Sequence, residues 1–401
     1  MSFDVATNVL IYSFLFAFLF GAISQKTNFC TMGAVADWVN MGNTARLGAW
    51  FLAISVAIIG VVILENIFLV SFSTTIPPYR TENFSWLRYI LGGLMFGVGM
   101  TMAGGCGNKT LVNLGAGSIR SLFFLFVASI MVFIMNKTSF YEVVFHGWIS
   151  YTSIDLNQFN IKSQSIVEVF AEVFSLEVTK FFKVSLSLLF ATPFLLYALC
   201  CKALRKNKQL LFAGISIGFI ITMGWYITGG NMGRAAIDSV EWLDHKPLGV
   251  GVQSYTFINP MGELLVYLDS PSNTLLITFG LVALFGVVLG SFSLSIYMRR
   301  FSITGFSSKE DFVKHLIGAV LMGIGGVLAM GCTIGQGITG VSTLAMGSFI
   351  VLFSIILGGA VNLKVSYYKM IYEEASFLSC FISTLVDFKM LPESLRKLEQ
   401  A

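Results

Sequence analysis

Three cysteines stand where apolar sequence gives way to glycine, threonine and asparagine: Cys30, Cys106 and Cys332. None belongs to a CxxC pair or a zinc-type spacing, so neither a dithiol pair nor a metal centre is expected. A thiol is a weak donor and acceptor with a polarisable sulfur, and it costs less to desolvate than a charge. A file of thiols offers a soft, sulfur-containing ion shallow sites that it can both enter and leave, which conduction requires. A file of arginines would hold the ion instead. Cys200, Cys201 and Cys380 lie in ordinary apolar or flanking sequence and read as packing residues, with no disulfide framework expected.

Four polar, glycine-punctuated stretches interrupt the apolar sequence, at 21–30, 104–110, 228–234 and 331–337. Irregular backbone is tolerated at membrane depth only where it is buried in protein or lines a cavity. Each stretch is followed by sequence able to restart a helix, which would aim backbone N–H groups and a positive dipole end at the break and so suit an anion. Asn28, Asn108, Asn231, Thr333 and Gln336 are the candidate donors along such a path, with Gly105 as a supporting position. Lys26, Lys109 and Arg234 flank the breaks, where they would draw an anion to the mouths or anchor the chain by snorkelling. Asp37 and Asp238 are placed to brace the restarted helices, and Glu65 takes a surface position by default. His146, His245 and His315 fall at expected loop positions, and no carboxylate pair suggests a proton relay.

The elements that must position these residues are membrane helices. Hydrophobic residues make up 56% of the 401 residues and charged residues 11%, against about 25% charged in soluble proteins. The net charge of +4 is modest and points to no nucleic-acid partner. Runs long enough to cross about 30 Å of hydrocarbon fall near 8–24, 47–70, 88–105, 119–136, 181–201, 210–228, 275–297, 314–331 and 343–362. The first lacks a positively charged lead, so it reads as a span rather than a signal peptide. Lys202, Arg205, Lys206 and Lys208 form a basic loop that belongs in the cytoplasm. Counting spans from that loop puts the N-terminus outside, the C-terminus inside and the stretch 137–180 outside.

The segments ending at Cys106 and Cys332 align without a gap at an offset of 226 residues, Gly92, Gly97, Gly99, Ala103 and Gly105 falling on Gly318, Gly323, Gly325, Ala329 and Gly331. The two copies are five spans apart, and an odd separation inverts one against the other. Inverted repeats with a site at their interface are a transporter architecture. The expected organisation is one all-α polytopic membrane domain: repeat 1 over about 8–136, an external insertion over 137–180, repeat 2 over 205–363 and a tail over 364–401. A glycine-rich run inside an apolar span is neither a P-loop nor a Rossmann fingerprint, so no nucleotide or other cofactor is expected, and the chain does not read as an enzyme.

These residues together resemble the YeeE/YedE sulfur-transport permeases of the bacterial inner membrane. The resemblance rests on Gln25-Lys26-Thr27-Asn28-Phe29-Cys30 with Gly33-Ala34 and Asp37, on Gly104-Gly105-Cys106-Gly107-Asn108-Lys109-Thr110, on Gly230-Asn231-Met232-Gly233-Arg234, and on Gly331-Cys332-Thr333-Ile334-Gly335-Gln336-Gly337. It implies nine spans plus short helices in an inverted repeat. It also implies thiosulfate uptake along Cys30, Cys106 and Cys332 by transient hydrogen bonds to the thiols. A cytoplasmic sulfurtransferase-like protein is a conceivable partner for the tail. Another sulfur or selenium species remains an alternative substrate, and a membrane thiol oxidoreductase an alternative class. The stretch 137–180 is longer and richer in phenylalanine than the resemblance leads one to expect.

Overall fold

The computed structural model describes residues 2–241 and 247–399; His245 lies outside them. Among those residues nine helices are long and apolar enough to cross a bilayer, each at a place the hydropathy marks. The chain is an all-α polytopic membrane protein. Its first half comprises α1 (Ser2–Thr27), α2 (Thr31–Met41), α3 (Ala45–Asn66), α4 (Trp86–Met102), α5 (Gly107–Gly115) and α6 (Ile119–Lys137). Between the halves come the short α7 (Gly147–Ser150) and α8 (Ile166–Val173), then α9 (Lys180–Cys200) and α10 (Lys202–Lys206). The second half comprises α11 (Lys208–Gly229), α12 (Asn231–Glu241), α13 (Ile258–Asp269), α14 (Phe279–Tyr297), α15 (Lys309–Leu328), α16 (Met346–Ile371) and α17 (Phe377–Asp387). One more helix, over 333–342, winds as a π-helix through Gly335–Gly340.

The packing is reciprocal between halves. α1 lies on α14 and α11 on α3; α4 lies on α16 and α15 on α6; α1 meets α11, and α4 meets α15. The α4–α15 crossing is antiparallel and made by glycine. A Cβ added to Gly92 would fall 2.5 Å from the Ala329 nitrogen, and one added to Gly325 would fall 2.7 Å from the Phe96 nitrogen. One added to Gly99 would fall 2.8 Å from the Gly318 oxygen, and one added to Gly318 would fall 2.8 Å from the Gly99 oxygen. A shift of 226 residues carries the Gly92–Ala329 approach onto that of Gly318 with Ala103, whose nitrogen an added Cβ on Gly318 would meet at 2.8 Å, and the Gly99–Gly318 approach onto that of Gly325 with Gly92, also at 2.8 Å. In lipid, where no hydrophobic force draws helices together, such close backbone approach is how they associate.

Three segments differ from expectation. Helix α16 runs on to Ile371, past the expected end near 362, because Lys364 sits 5.3 Å from the Tyr367 ring and pairs with Asp387 at 3.6 Å, so its charge is accommodated within the helix. The stretch 137–180 is docked onto the body: Ile166 N–H donates to Leu344 O at 2.9 Å and Met346 N–H to Gln164 O at 2.9 Å. His315 lies within α15 and is buried, its Nδ1 3.1 Å from Asp311.

Candidate functional site

All four glycine-rich breaks separate two helices: α1 from α2, α4 from α5, α11 from α12, and α15 from the helix over 333–342. In three of them a residue in the left-handed region ends the first helix two positions before the cysteine: Asn28 (φ 51°), Gly104 (φ 67°) and Met330 (φ 59°). The closing bonds match between copies, Gly105 N–H reaching Met100 O at 2.9 Å and Gly331 N–H reaching Gly326 O at 2.8 Å. Glycine fits this conformation at Gly104, whereas Met330 holds it at a cost on the order of 1 kcal/mol, fixed by the packing around it.

The next helix then starts at the cysteine. Cys30 and Cys106 are extended N-cap residues, and their carbonyls accept from Ala34 N–H at 3.0 Å and Thr110 N–H at 2.9 Å. Cys332 O accepts from Gln336 N–H at 2.7 Å in the same way, and so does Gly230 O from Arg234 N–H at 2.9 Å. The fourth junction therefore repeats the backbone without the thiol.

Two of the thiols meet. Cys30 Sγ and Cys106 Sγ are 3.8 Å apart, and Cys332 Sγ accepts from Gly335 N–H at 3.3 Å. All three cysteines are buried. Around them lie buried polar atoms without a hydrogen-bond partner in the protein: Thr31 Oγ1, both amide atoms of Asn108, and Thr333 Oγ1. Each belongs to the first turn after its cysteine, and the Thr333 hydroxyl faces Cys106. Trp50 Nε1 and Thr256 Oγ1 are unpartnered too; Trp50 packs against Gly337 and Thr256 against Gly335. Burying such a group unpaired costs about 1–3 kcal/mol, and folded proteins keep few of them. Unpartnered hydroxyls also occur at Ser24, Ser129 and Ser295.

Other residues singled out in the sequence stand further off. Lys109 Nζ donates to Asn28 Oδ1 at 3.0 Å at the edge of the thiol cluster. Asp37 does brace α2, pairing with Arg46 at 3.2 Å. Gln336 is buried, but its amide is satisfied by Ala329 O and the Ser348 hydroxyl, both at 2.6 Å. Asn231 and Arg234 are exposed, and the Arg234 guanidinium donates to Gly229 O and Leu69 O. Glu65 is not a free surface acid: it pairs with Arg80 at 3.0 Å. Cys200 is exposed, Cys201 contacts the Thr44 hydroxyl at 3.4 Å, and Cys380 is buried beside α16. Sequence reasoning passed over Thr31, Trp50 and Thr256. Thr31 was legible, since it follows Cys30 as Thr333 follows Cys332; no pattern in the sequence marks the other two.

Comparison with known proteins places this geometry in context. A family model described as sulphur transport matches residues 26–361. The thiosulfate transporter TsuA of Escherichia coli strain K12 is 26% identical over 343 residues, covering 85% of this chain and 90% of that protein. The thiosulfate transporter TsuA of Spirochaeta thermophila is 23% identical over 346 residues, covering 86% and 95% respectively.

Proposed function

This chain belongs to the sulphur-transport family, and we propose that it takes up thiosulfate through a neck lined by Cys30, Cys106 and Cys332. The observation that carries the reading is the 3.8 Å contact of two thiols at helix starts whose first turns hold the unpartnered side chains of Thr31 and Asn108, with unpartnered Thr333 in the matching turn after Cys332. Thiosulfate is a dianion with one soft terminal sulfur and three hard oxygens. Its sulfur meets the thiols, while the oxygens take the idle hydroxyl and amide donors and the N–H groups that open each helix. None of these contacts is a full charge pair, so the anion is held briefly and passed on. Lys109 gathers it at the edge. Reciprocal packing of the halves supports an inverted repeat, and loop charge supports an N-terminus outside the inner membrane and a C-terminus in the cytoplasm.

The test is growth of a host lacking its own thiosulfate uptake, with thiosulfate as sole sulfur source. Wild type and Cys200→Ala should grow, and Cys30→Ala, Cys106→Ala and Cys332→Ala should fail at matched membrane expression. Equal growth of all five would remove the thiols from the path. The Cys30–Cys106 contact also favours a second reading, a thiol oxidoreductase, because the two sulfurs are within reach of oxidation. Mild oxidation separates the two: a stable Cys30–Cys106 disulfide, with activity lost in reductant, supports the oxidoreductase, and uptake that persists in reductant supports transport.

A further inference from the structure

Beside the neck lies a cavity of about 280 Å³, bounded by Gly104, Gly105, Asn113, Arg120, Asp311 and His315. Gly105, which lines it, directly precedes Cys106 in the chain. Arg120 at the start of α6 is about one-third exposed, and its Nη1 stands 3.5 Å from Asp311 Oδ2. That is longer than the 2.7–2.9 Å usual for a charge-assisted hydrogen bond, so the pair is loose. The Asp311 carboxylate also accepts from Ser307 N–H at 3.1 Å, while His315 Nδ1 stands 3.1 Å from it and 2.8 Å from Asp311 O. The guanidinium can therefore turn away without leaving the carboxylate unpaired.

The opposite mouth is built differently. At an offset of 226 residues, Met346 stands for Arg120 and Met330 for Gly104. There Tyr79, Tyr89 and Gln164 fill the equivalent space and leave no room for a water molecule. Gln164 Oε1 accepts from Gly347 N–H at 3.1 Å, and its Nε2 donates to the Tyr89 hydroxyl at 3.1 Å. The cationic cavity is thus confined to one side of a structure whose backbone is repeated on both.

We propose that this cavity is a second anion site, taken by a tetrahedral sulfur oxyanion once it has left Cys106, with Arg120 exchanging Asp311 for the anion's oxygens. The proposal rests on the transport reading above. On the orientation given there, the cavity is the cytoplasmic mouth. Asp311 holds the guanidinium ready while the site is empty and repels the anion once it arrives, which keeps the site weak enough to release.

Two measurements test it, on wild type, Arg120→Gln, Arg120→Lys and Asp311→Asn. The first is labelled thiosulfate flux into intact cells and into inverted membrane vesicles. Arg120→Gln should raise the half-saturating concentration at least fivefold in inverted vesicles while leaving it within twofold in cells. Arg120→Lys should restore it, and Asp311→Asn should lower it. A merely structural role would weaken both directions alike and overturns the proposal, as does no change in either. The second is equilibrium binding of thiosulfate to the purified protein: Arg120→Gln should lose a class of site that Cys106→Ala retains. A wild type that binds but carries nothing would sink the transport reading and leave the site standing. A wild type that binds no anion sinks both.

Discussion

Asn108 has no exposed surface, and neither end of its amide finds a partner in the protein. A residue in that position destabilises the fold by the desolvation of its own polar atoms. If it exists for the guest, removing it should separate stability from activity. Asn108→Ala is expected to leave the thermal unfolding midpoint within about two degrees of wild type, the lost amide penalty offsetting the small void, while thiosulfate uptake falls at least tenfold. A variant that unfolds much earlier would make Asn108 a structural residue. The three cysteines stand out in the sequence because each falls where an apolar run gives way to a polar stretch, and Thr31 and Thr333 because each directly follows its cysteine, while Asn108 stands two residues after Cys106. Trp50 was not legible, since an apolar span containing a tryptophan looks the same whether its indole nitrogen faces lipid or the protein interior.

At the scale of elements, the seam between α4 and α15 has no slack. The atoms nearest an added methyl on Gly92 or Gly325 belong to the opposing backbone, so the helices themselves must separate to make room. Overpacking of this kind typically costs 1–3 kcal/mol. Gly92→Ala and Gly325→Ala should each lower the yield of folded protein in detergent several-fold, and by similar factors because each added methyl meets a backbone nitrogen of the opposing helix, at 2.5 Å and 2.7 Å. Gly305→Ala, where an added methyl would meet nothing within 4 Å, is the control and should match wild type. The spans were legible by hydropathy and the seam by the ungapped glycine register. Helix α13 and the docking of 137–180 were not. Their positions depend on long-range contacts such as Gln164 with Gly347, and periodicity carries no information about partners that distant.

At the scale of the molecule, nine crossings put the two termini on opposite faces. A C-terminal fluorescent fusion should therefore fold in the cytoplasm, while an N-terminal epitope should be cleaved by protease added to spheroplasts. Both termini on one side would overturn the odd count of crossings. The neutral lining of the neck has an electrical consequence as well. The first turns after the three cysteines supply threonine and asparagine, so on the thiosulfate reading no counter-charge travels with the dianion. Carrying two negative charges into a cell held 100 mV negative costs about 4.6 kcal/mol, roughly 2,000-fold against accumulation. Entry on those terms is sustained only while the cytoplasm consumes the anion. Initial uptake into vesicles should accordingly quicken when valinomycin and external potassium drive the interior positive, and a rate indifferent to that voltage would mean that a cation accompanies each turnover.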